Sequence, residues 1–180
     1  MSRRYLYFFA VPFVLLASVA AFNYIGVQRP LSEVLKADER NKGIDARAHY
    51  QYYVVPSKLV FDLRDISETN SAADVTRALL QFAATQKEKS YAEVALAYRG
   101  TPKFKLQGTY FHTLGAEYGT QNPVYTMRTF AENVYQLDGT AAFGTWTGGI
   151  LGVMSKQMED FNDFHKQWYI TDLSKIGDIE

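Results

Sequence analysis

The distribution of apolar and charged positions divides the chain into an apolar N-terminal segment and a longer part of mixed polarity. Residues 5–27 carry no charged side chain, and Arg3, Arg4 and Arg29 flank this run. At 1.5 Å per residue, about 23 helical residues reach roughly 34 Å, more than the ~30 Å hydrocarbon core of a bilayer. The run therefore predicts a transmembrane helix, with residues 1–29 as an N-terminal anchor.

A cleaved signal peptide is the alternative interpretation of this segment. Residues 2–4 form a basic start, residues 6–17 an apolar centre, and residues 18–20 a possible cleavage site. The apolar run continues to Val27, which a signal ending at Ala20 does not need, so the pattern favours an uncleaved anchor. A short basic N-terminus is typical of the cytoplasmic side. We therefore expect a single-pass protein of the cytoplasmic (inner) membrane with an extracytoplasmic, periplasmic C-terminal domain.

The rest of the chain alternates between patterns typical of strands and of helices. Ser71 and Asp74 resemble a capping box at the start of a helix. Strand patterns cover residues 50–55, 59–63, 94–98, 103–107 and 124–129, and helix patterns cover residues 72–89, 109–118 and 150–169.

The order of these elements predicts an α+β fold. From Leu59 onward they follow the βαββαβ order of a ferredoxin-like sandwich, with one extra helix at the C-terminus. The predicted divisions are a juxtamembrane linker over residues 30–48, a globular α+β domain over residues 49–170 and a polar tail over residues 171–180.

Composition narrows the chemistry of the chain. Lysine plus arginine equals aspartate plus glutamate at 19 each, so no overall charge points to a nucleic-acid partner. No cysteine is present, which excludes disulfides and thiolate chemistry. Glu159 and Asp163, one helical turn apart, offer too few oxygens for a hard cation. We predict no cofactor and no metal site.

A glycine-rich loop before the last helix is the first candidate surface. Trp146, Thr147, Gly148 and Gly149 open directly into that helix, and such a start can hold an anion. The loop lacks the spacing and the lysine of a P-loop, and a tight turn capped by Thr147 explains it equally well. Because interfaces are enriched in aromatic residues, Trp146, Tyr125 and Tyr135 predict a surface for a partner protein.

The leading hypothesis is therefore a membrane-anchored protein-interaction or assembly (accessory) domain. Its predicted partners are the membrane and another protein of a membrane complex.

A membrane-tethered hydrolase is the alternative from another functional class. Asp62, Arg64 and Asp65 lie at the end of a predicted buried strand, and His112 or His165 would be the base. A general base needs a nearby nucleophile, and the chain contains no nucleophile-elbow sequence. An Asp62–Arg64 ion pair explains the first group equally well, so the spacing favours a non-enzymatic role. A secreted domain that binds a small ligand or a cell-envelope polymer is the third possibility.

Overall fold

One five-stranded mixed sheet organises the chain, and helices pack against one of its faces. The computed structural model describes residues 3–177. The strands are β1 (Ile44–Gln51), β2 (Val55–Ile66), β3 (Glu93–Tyr98), β4 (Thr101–Gln107) and β5 (Val134–Tyr135). The helices are α1 (Arg3–Asn23), α2 (Arg29–Ala37), α3 (Ala72–Thr85), α4 (Gly108–Glu117), α5 (Pro123–Phe130), α6 (Ile150–His165) and α7 (Thr171–Gly177), with π-helical turns at Tyr24–Gln28 and Lys166–Ile170.

The core lies between the sheet and the helices. Alternate residues of β1 are buried on the inner face, whereas in β2 all of residues 59–63 are buried. On the inner face the Phe61 ring meets Phe82 of α3 and Trp168 of the second π-helical turn. The outer face carries charged side chains, and Glu93 there pairs with Lys58 at 2.9 Å. The sheet therefore buries its inner face and, in the centre of β2, part of its outer face, where Val60 and Asp62 are buried.

The strand order is β1-β2-β3-β4-β5, and the ferredoxin-like prediction is wrong. In the ferredoxin-like arrangement, two strands joined by a helix are separated by another strand. Here α3 joins β2 to β3, and these two strands are direct parallel neighbours, with Phe61 opposite Leu96. The remaining neighbouring pairs are antiparallel. The fold is a mixed α+β arrangement with a five-stranded sheet.

Local capping signals determine where two of the helices begin. The capping box before α3 is confirmed, because Asp74 N donates to Ser71 Oγ and Ser71 N donates to an Asp74 carboxylate oxygen. The strand predicted over residues 124–129 is wrong, since this segment forms α5. Val124 N donates to the Asn122 side chain at 2.9 Å, and Pro123 occupies the first helical turn. The helix-starting signal of Asn122 and Pro123 therefore outweighs the strand propensity of the β-branched residues in this segment.

The helical path from α1 to α2 is continuous but contains the π-helical turn Tyr24–Gln28. Pro30 explains this irregularity, because proline has no N–H for the carbonyl of Gly26 four residues earlier and its ring crowds that carbonyl. Lys89 Nζ donates to the Gly26 carbonyl instead. Burial lowers the pKa of Lys89 below its ordinary value. A side chain from another element thus completes the bonding that the proline removes.

Within the part of the chain that the structure describes, no helix combines the length and the apolarity needed to cross a membrane.

This finding contradicts the predicted transmembrane helix and signal anchor, and with them the single-pass inner-membrane location. The physical reason lies at the end of the apolar run, where Asn23 and Val27 are buried against the sheet. The remaining residues 5–22 would span only about 27 Å as a helix, short of the ~30 Å hydrocarbon core.

The segments on either side of the predicted globular domain also have regular structure. Residues 30–48, predicted as a linker, contribute α2 and most of β1, and Leu31 and Ile44 are buried. In the predicted polar tail, Thr171–Gly177 forms α7, while residues 178–180 lie outside the described residues.

Candidate functional site

The free edge of β1 is covered by two amide side chains of the N-terminal helical path. Ala48 N donates to Gln28 Oε1 at 2.8 Å, and Tyr50 N donates to Asn23 Oδ1 at 2.9 Å. An unpaired strand edge is a hazard that proteins often cover with a helix. Residues five apart face different directions in a regular α-helix, but the π-helical turn brings Asn23 and Gln28 to the same side. These bonds hold α1 beside the β1–β2 hairpin.

The β1–β2 turn places two tyrosines in a backbone conformation that tyrosine rarely adopts. Tyr52 has φ 51° and Tyr53 has φ 65°. The bond from Val54 N to the Gln51 carbonyl closes a β-turn with Tyr52 and Tyr53 at its centre, within the three-residue loop 52–54 between β1 and β2. Positive φ at both central residues is typical of a type I′ turn, whose preferred residues are Asn-Gly. A bulky residue at positive φ is strained, and such strain persists where the surroundings or a function require it.

The two strained tyrosines do not gain burial from their position. Tyr52 is 77% exposed, Tyr53 54% and Val54 62%. The Tyr53 ring stacks on His49, with 4.5 Å between the ring centroids and 16° between the planes. The Tyr53 carbonyl accepts a hydrogen bond from Asn23 Nδ2 at 2.7 Å. The turn is therefore held in one shape while its side chains face outward.

A groove of about 700 Å³ separates this turn from α1. We call it the helix–hairpin groove, and its lining includes Leu16, Val19, Asn23, Tyr24, Arg47 and Tyr53. Arg47 is exposed and forms no ion pair with any carboxylate that the structure describes. Beside the groove, the helical path bears large apolar side chains that are each more than half exposed. We call this the apolar surface of the helix, and it comprises Phe13, Val14, Leu15, Leu16, Phe22, Tyr24 and Ile25.

The predicted Trp146 loop is exposed, and a hydrogen bond to α6 holds it in place. Trp146 is 40% exposed, and its Nε1 donates to Asp160 Oδ2 at 2.6 Å. Thr147 does not cap α6, because the N-cap residue is Gly149 and no side chain accepts there. Gly148 has φ 133°, a conformation that suits glycine. The loop borders only a shallow cavity of about 350 Å³.

The other two aromatic residues of the predicted partner surface lie on separate elements. Tyr125 is exposed on α5, with the Arg128 guanidinium 5.9 Å from its ring centroid. Tyr135 belongs to β5 and pairs with Lys105 of β4. Within residues 3–177, no ring contact joins Tyr125, Tyr135 and Trp146 to one another. The partner surface centred on these residues remains a prediction.

The residues of the alternative hydrolase site occupy different places. Asp62 is buried, receives a bond from Arg64 Nη1 at 2.9 Å and accepts from Gly100 N at 2.9 Å. Asp65 pairs with Arg99 at 3.4 Å. His112 is exposed on α4, and no described hydrogen bond or ion pair joins a histidine to a carboxylate. The structure therefore brings together no acid–histidine pair among the described residues.

His165 is a core residue. Its ring is completely buried and packs edge-on against Phe161 and Phe164. Its Nε2 lies 3.0 Å from Thr76 Oγ1, and that hydroxyl already donates to the Ala72 carbonyl. Nε2 therefore carries the proton, which leaves Nδ1 without a partner among the described atoms. Burial lowers the pKa of His165 to about 3, so the ring is neutral at pH 7.

Metal chemistry has no evident site in the described range. No group of three or more histidine, cysteine, aspartate or glutamate side chains there could hold a metal ion.

Comparison of the chain with protein-family models, with curated proteins and with solved structures found no significant match. A function therefore has to be inferred from the side chains themselves.

The residues that build the helix–hairpin groove were not predicted from the sequence. Residues 50–55 were predicted as one strand because Tyr and Val favour strands, and no glycine or asparagine marked a turn at Tyr52 and Tyr53. Asn23 was predicted to lie within the transmembrane span. One signal was available in the sequence. The amide Asn23 interrupts an otherwise apolar run, and Gln28 ends it shortly before Pro30.

Proposed function

We propose that the chain is a protein-interaction domain that binds a partner protein through the helix–hairpin groove and the apolar surface of the helix. The observation that carries this proposal is the pair of strained, exposed tyrosines, Tyr52 and Tyr53, at the tip of the hairpin. Strain without burial is a disadvantage to the isolated chain. Contact with a partner gives the two rings the burial that the fold does not provide.

The size of the exposed surface supports a macromolecular partner. Ten large apolar or aromatic side chains on the helix and the hairpin tip are more than half exposed. Together they offer on the order of 1,000 Å² of surface, which resembles the ~800 Å² that each partner contributes to a standard interface. Phe13, Val14, Leu15 and Leu16 are consecutive on α1 and face different sides of it, so a partner on one side contacts part of this surface.

The chemistry of the groove specifies the partner element. Arg47 is the only lysine, arginine, aspartate or glutamate in the described lining, and it has no described acidic partner. The helical path contributes one part of the lining, and β1 with the hairpin tip contributes the other. The partner element that fits is an apolar helix with one carboxylate facing Arg47.

Site-specific crosslinking in the native host tests this proposal. A photo-reactive amino acid replaces Leu16 in one form of the full-length chain, Tyr53 in a second and Trp146 in a third. We expect Leu16 and Tyr53 to crosslink to one and the same protein, through an apolar helix of that protein, and Trp146 not to do so. The purified partner should then lose at least about tenfold in affinity when Tyr52 and Tyr53 are both replaced by alanine.

Three results would overturn the proposal. Crosslinking from Leu16 and Tyr53 to unrelated proteins would show a non-specific sticky surface. Crosslinking from Trp146 alone would move the interface to the loop before α6. Flotation of the purified chain with vesicles of phosphatidylethanolamine and phosphatidylglycerol, without any protein crosslink, would assign the apolar surface to lipid instead.

A further inference from the structure

A second cavity lies between α3, α4 and α5, away from the residues of the helix–hairpin groove. We call it the inter-helix cavity, and its volume is about 410 Å³. Ala73, Leu80, Leu114, Pro123 and Met127 provide its apolar lining. This volume and this lining are typical of sites that enclose most of a small ligand.

The two arginines at the cavity are already engaged within the protein. Arg40 binds the Asp38 carboxylate through two nitrogens, at 2.7 and 3.0 Å. Arg77 binds Asp74 at 2.6 Å and lies 3.7 Å from Asp38. The hydrogen bond from Arg40, followed by one from Gln81, holds the pKa of Asp38 well below its usual range, so this carboxyl stays ionised. The positive charges of Arg40 and Arg77 are therefore matched by the negative charges of Asp38 and Asp74.

Another lining residue carries a negative charge that no described ion pair cancels. Glu117, the last residue of α4, is exposed and forms no ion pair among the described residues. Tyr118 follows it, lines the same cavity and is 39% exposed. A carboxylate and an aromatic ring that line the same cavity each attract a cation, the first through its charge and the second through its ring face.

We propose that the inter-helix cavity binds a small amphipathic amine. Its apolar body occupies the space over Leu80, Leu114 and Met127, and its ammonium group binds Glu117 beside the Tyr118 ring. The engaged state of Arg40 and Arg77 disfavours an anionic ligand of the same size, because such a ligand would compete with Asp38 and Asp74. This site is independent of the proposed partner interface.

Titration of the full-length chain with three probes of matched size tests the assignment. The probes are 2-phenylethylammonium, 2-phenylethanol and 3-phenylpropanoate, observed by amide chemical shifts. We expect the ammonium probe to shift the amides of Ala73, Glu117 and Thr126 and to bind about fivefold more tightly than the alcohol. Glu117→Gln should remove this preference, and Glu88→Gln, at an exposed glutamate outside the cavity lining, should leave it intact.

A blocking variant separates cavity binding from surface attraction. Ala73→Phe places a ring in the cavity from an exposed position, so it should abolish binding of all three probes without unfolding the chain. Equal binding of ammonium and alcohol would overturn the proposal, as would tightest binding of the carboxylate probe. Binding only of a lysine-containing peptide, with none of the free amine, would also overturn it.

Discussion

Replacing the two strained tyrosines by the residues that a type I′ turn prefers should stabilise the domain. The change is Tyr52→Asn together with Tyr53→Gly. The left-handed conformation costs an ordinary residue about 1–2 kcal/mol, whereas asparagine tolerates it and glycine adopts it freely. With φ values of 51° and 65°, both tyrosines carry this cost, so the substitution releases about 2–3 kcal/mol.

Two losses offset part of this gain. The stack of Tyr53 on His49 contributes about 0.5–1.5 kcal/mol, and glycine adds unfolded-state entropy worth about 0.4–1 kcal/mol. We therefore expect a net increase of about 1 kcal/mol in the free energy of unfolding. For a chain of this length, that corresponds to a rise of about 2–4 °C in Tm.

Urea and thermal unfolding of the full-length chain provide the measurement. Tyr53→Phe is the matched control, because it keeps the ring and the backbone strain and should leave the Tm unchanged. A fall of about 1 kcal/mol or more in the double variant would refute the reasoning, since the tyrosines would then stabilise the fold itself. A more stable variant that fails to bind the partner would separate binding from folding.

Three further substitutions test the packing. Burial lowers the pKa of His165 to about 3, so between pH ~6.5 and pH 5 only the unfolded chain binds a proton at this ring. The free energy of unfolding should therefore fall by about 2 kcal/mol from pH 8 to pH 5, and His165→Gln should remove that fall. Lys89→Met leaves the Gly26 carbonyl without its donor and should reduce the urea-derived unfolding free energy by about 1–3 kcal/mol. Gly115→Ala places a methyl group against the Ala83 carbonyl oxygen, closer than van der Waals contact, and so forces α3 and α4 apart. It should lower stability in the same assay by about 1–3 kcal/mol.

Each of these substitutions has a control within the chain. An equal loss between pH 8 and pH 5 in the parent and in His165→Gln would show that another group titrates. Lys87→Met, at an exposed neighbour of Lys89, should be nearly neutral, and an effect as large as that of Lys89→Met would exclude the carbonyl contact as the cause. Gly152→Ala, in an open part of α6, should stabilise by up to about 1 kcal/mol, so a loss there would argue against a steric reason at Gly115.

Elements with strong periodicity or a clear cap could be predicted from the sequence. The apolar spacing of α3 and its Ser71 cap identify a helix without any tertiary information, and the buried run at residues 59–63 lies within β2. The segment at residues 124–129 shows the limit of this reasoning. Its β-branched residues suggest a strand, but Asn122 and Pro123 start a helix, and packing against α6 then maintains it.

The partner of each strand could not be predicted from local pattern. A βαββαβ order is compatible with two sheets, one in which the helix-linked strands are neighbours and one in which a third strand separates them. The choice depends on which strand occupies the other side of β2. That strand is β1, and its alternation of Ile44, Ala46 and Ala48 with Asp45 and Arg47 lies in a segment whose charges resemble a solvated linker.

The apolar N-terminal run shows why hydropathy alone misassigns a helix that serves the fold. The hydropathy of a segment measures how favourable it is to remove its side chains from water, but it does not say which surface those side chains then pack against. Asn23 and Gln28 are informative because an amide can satisfy the N–H and C=O groups of a strand edge, and the π-helical turn beside Pro30 brings both amides to β1.

The same bonds connect the fold to the proposed site. Asn23 binds Tyr50 N and the Tyr53 carbonyl, so one side chain both completes the sheet edge and fixes the strained turn. The position of the hairpin tip relative to α1 is therefore set by the fold before any partner arrives. An interface built from such preorganised elements loses little conformational entropy on binding. This gives a physical reason for a chain to retain tyrosines at two positions where asparagine and glycine would fold better.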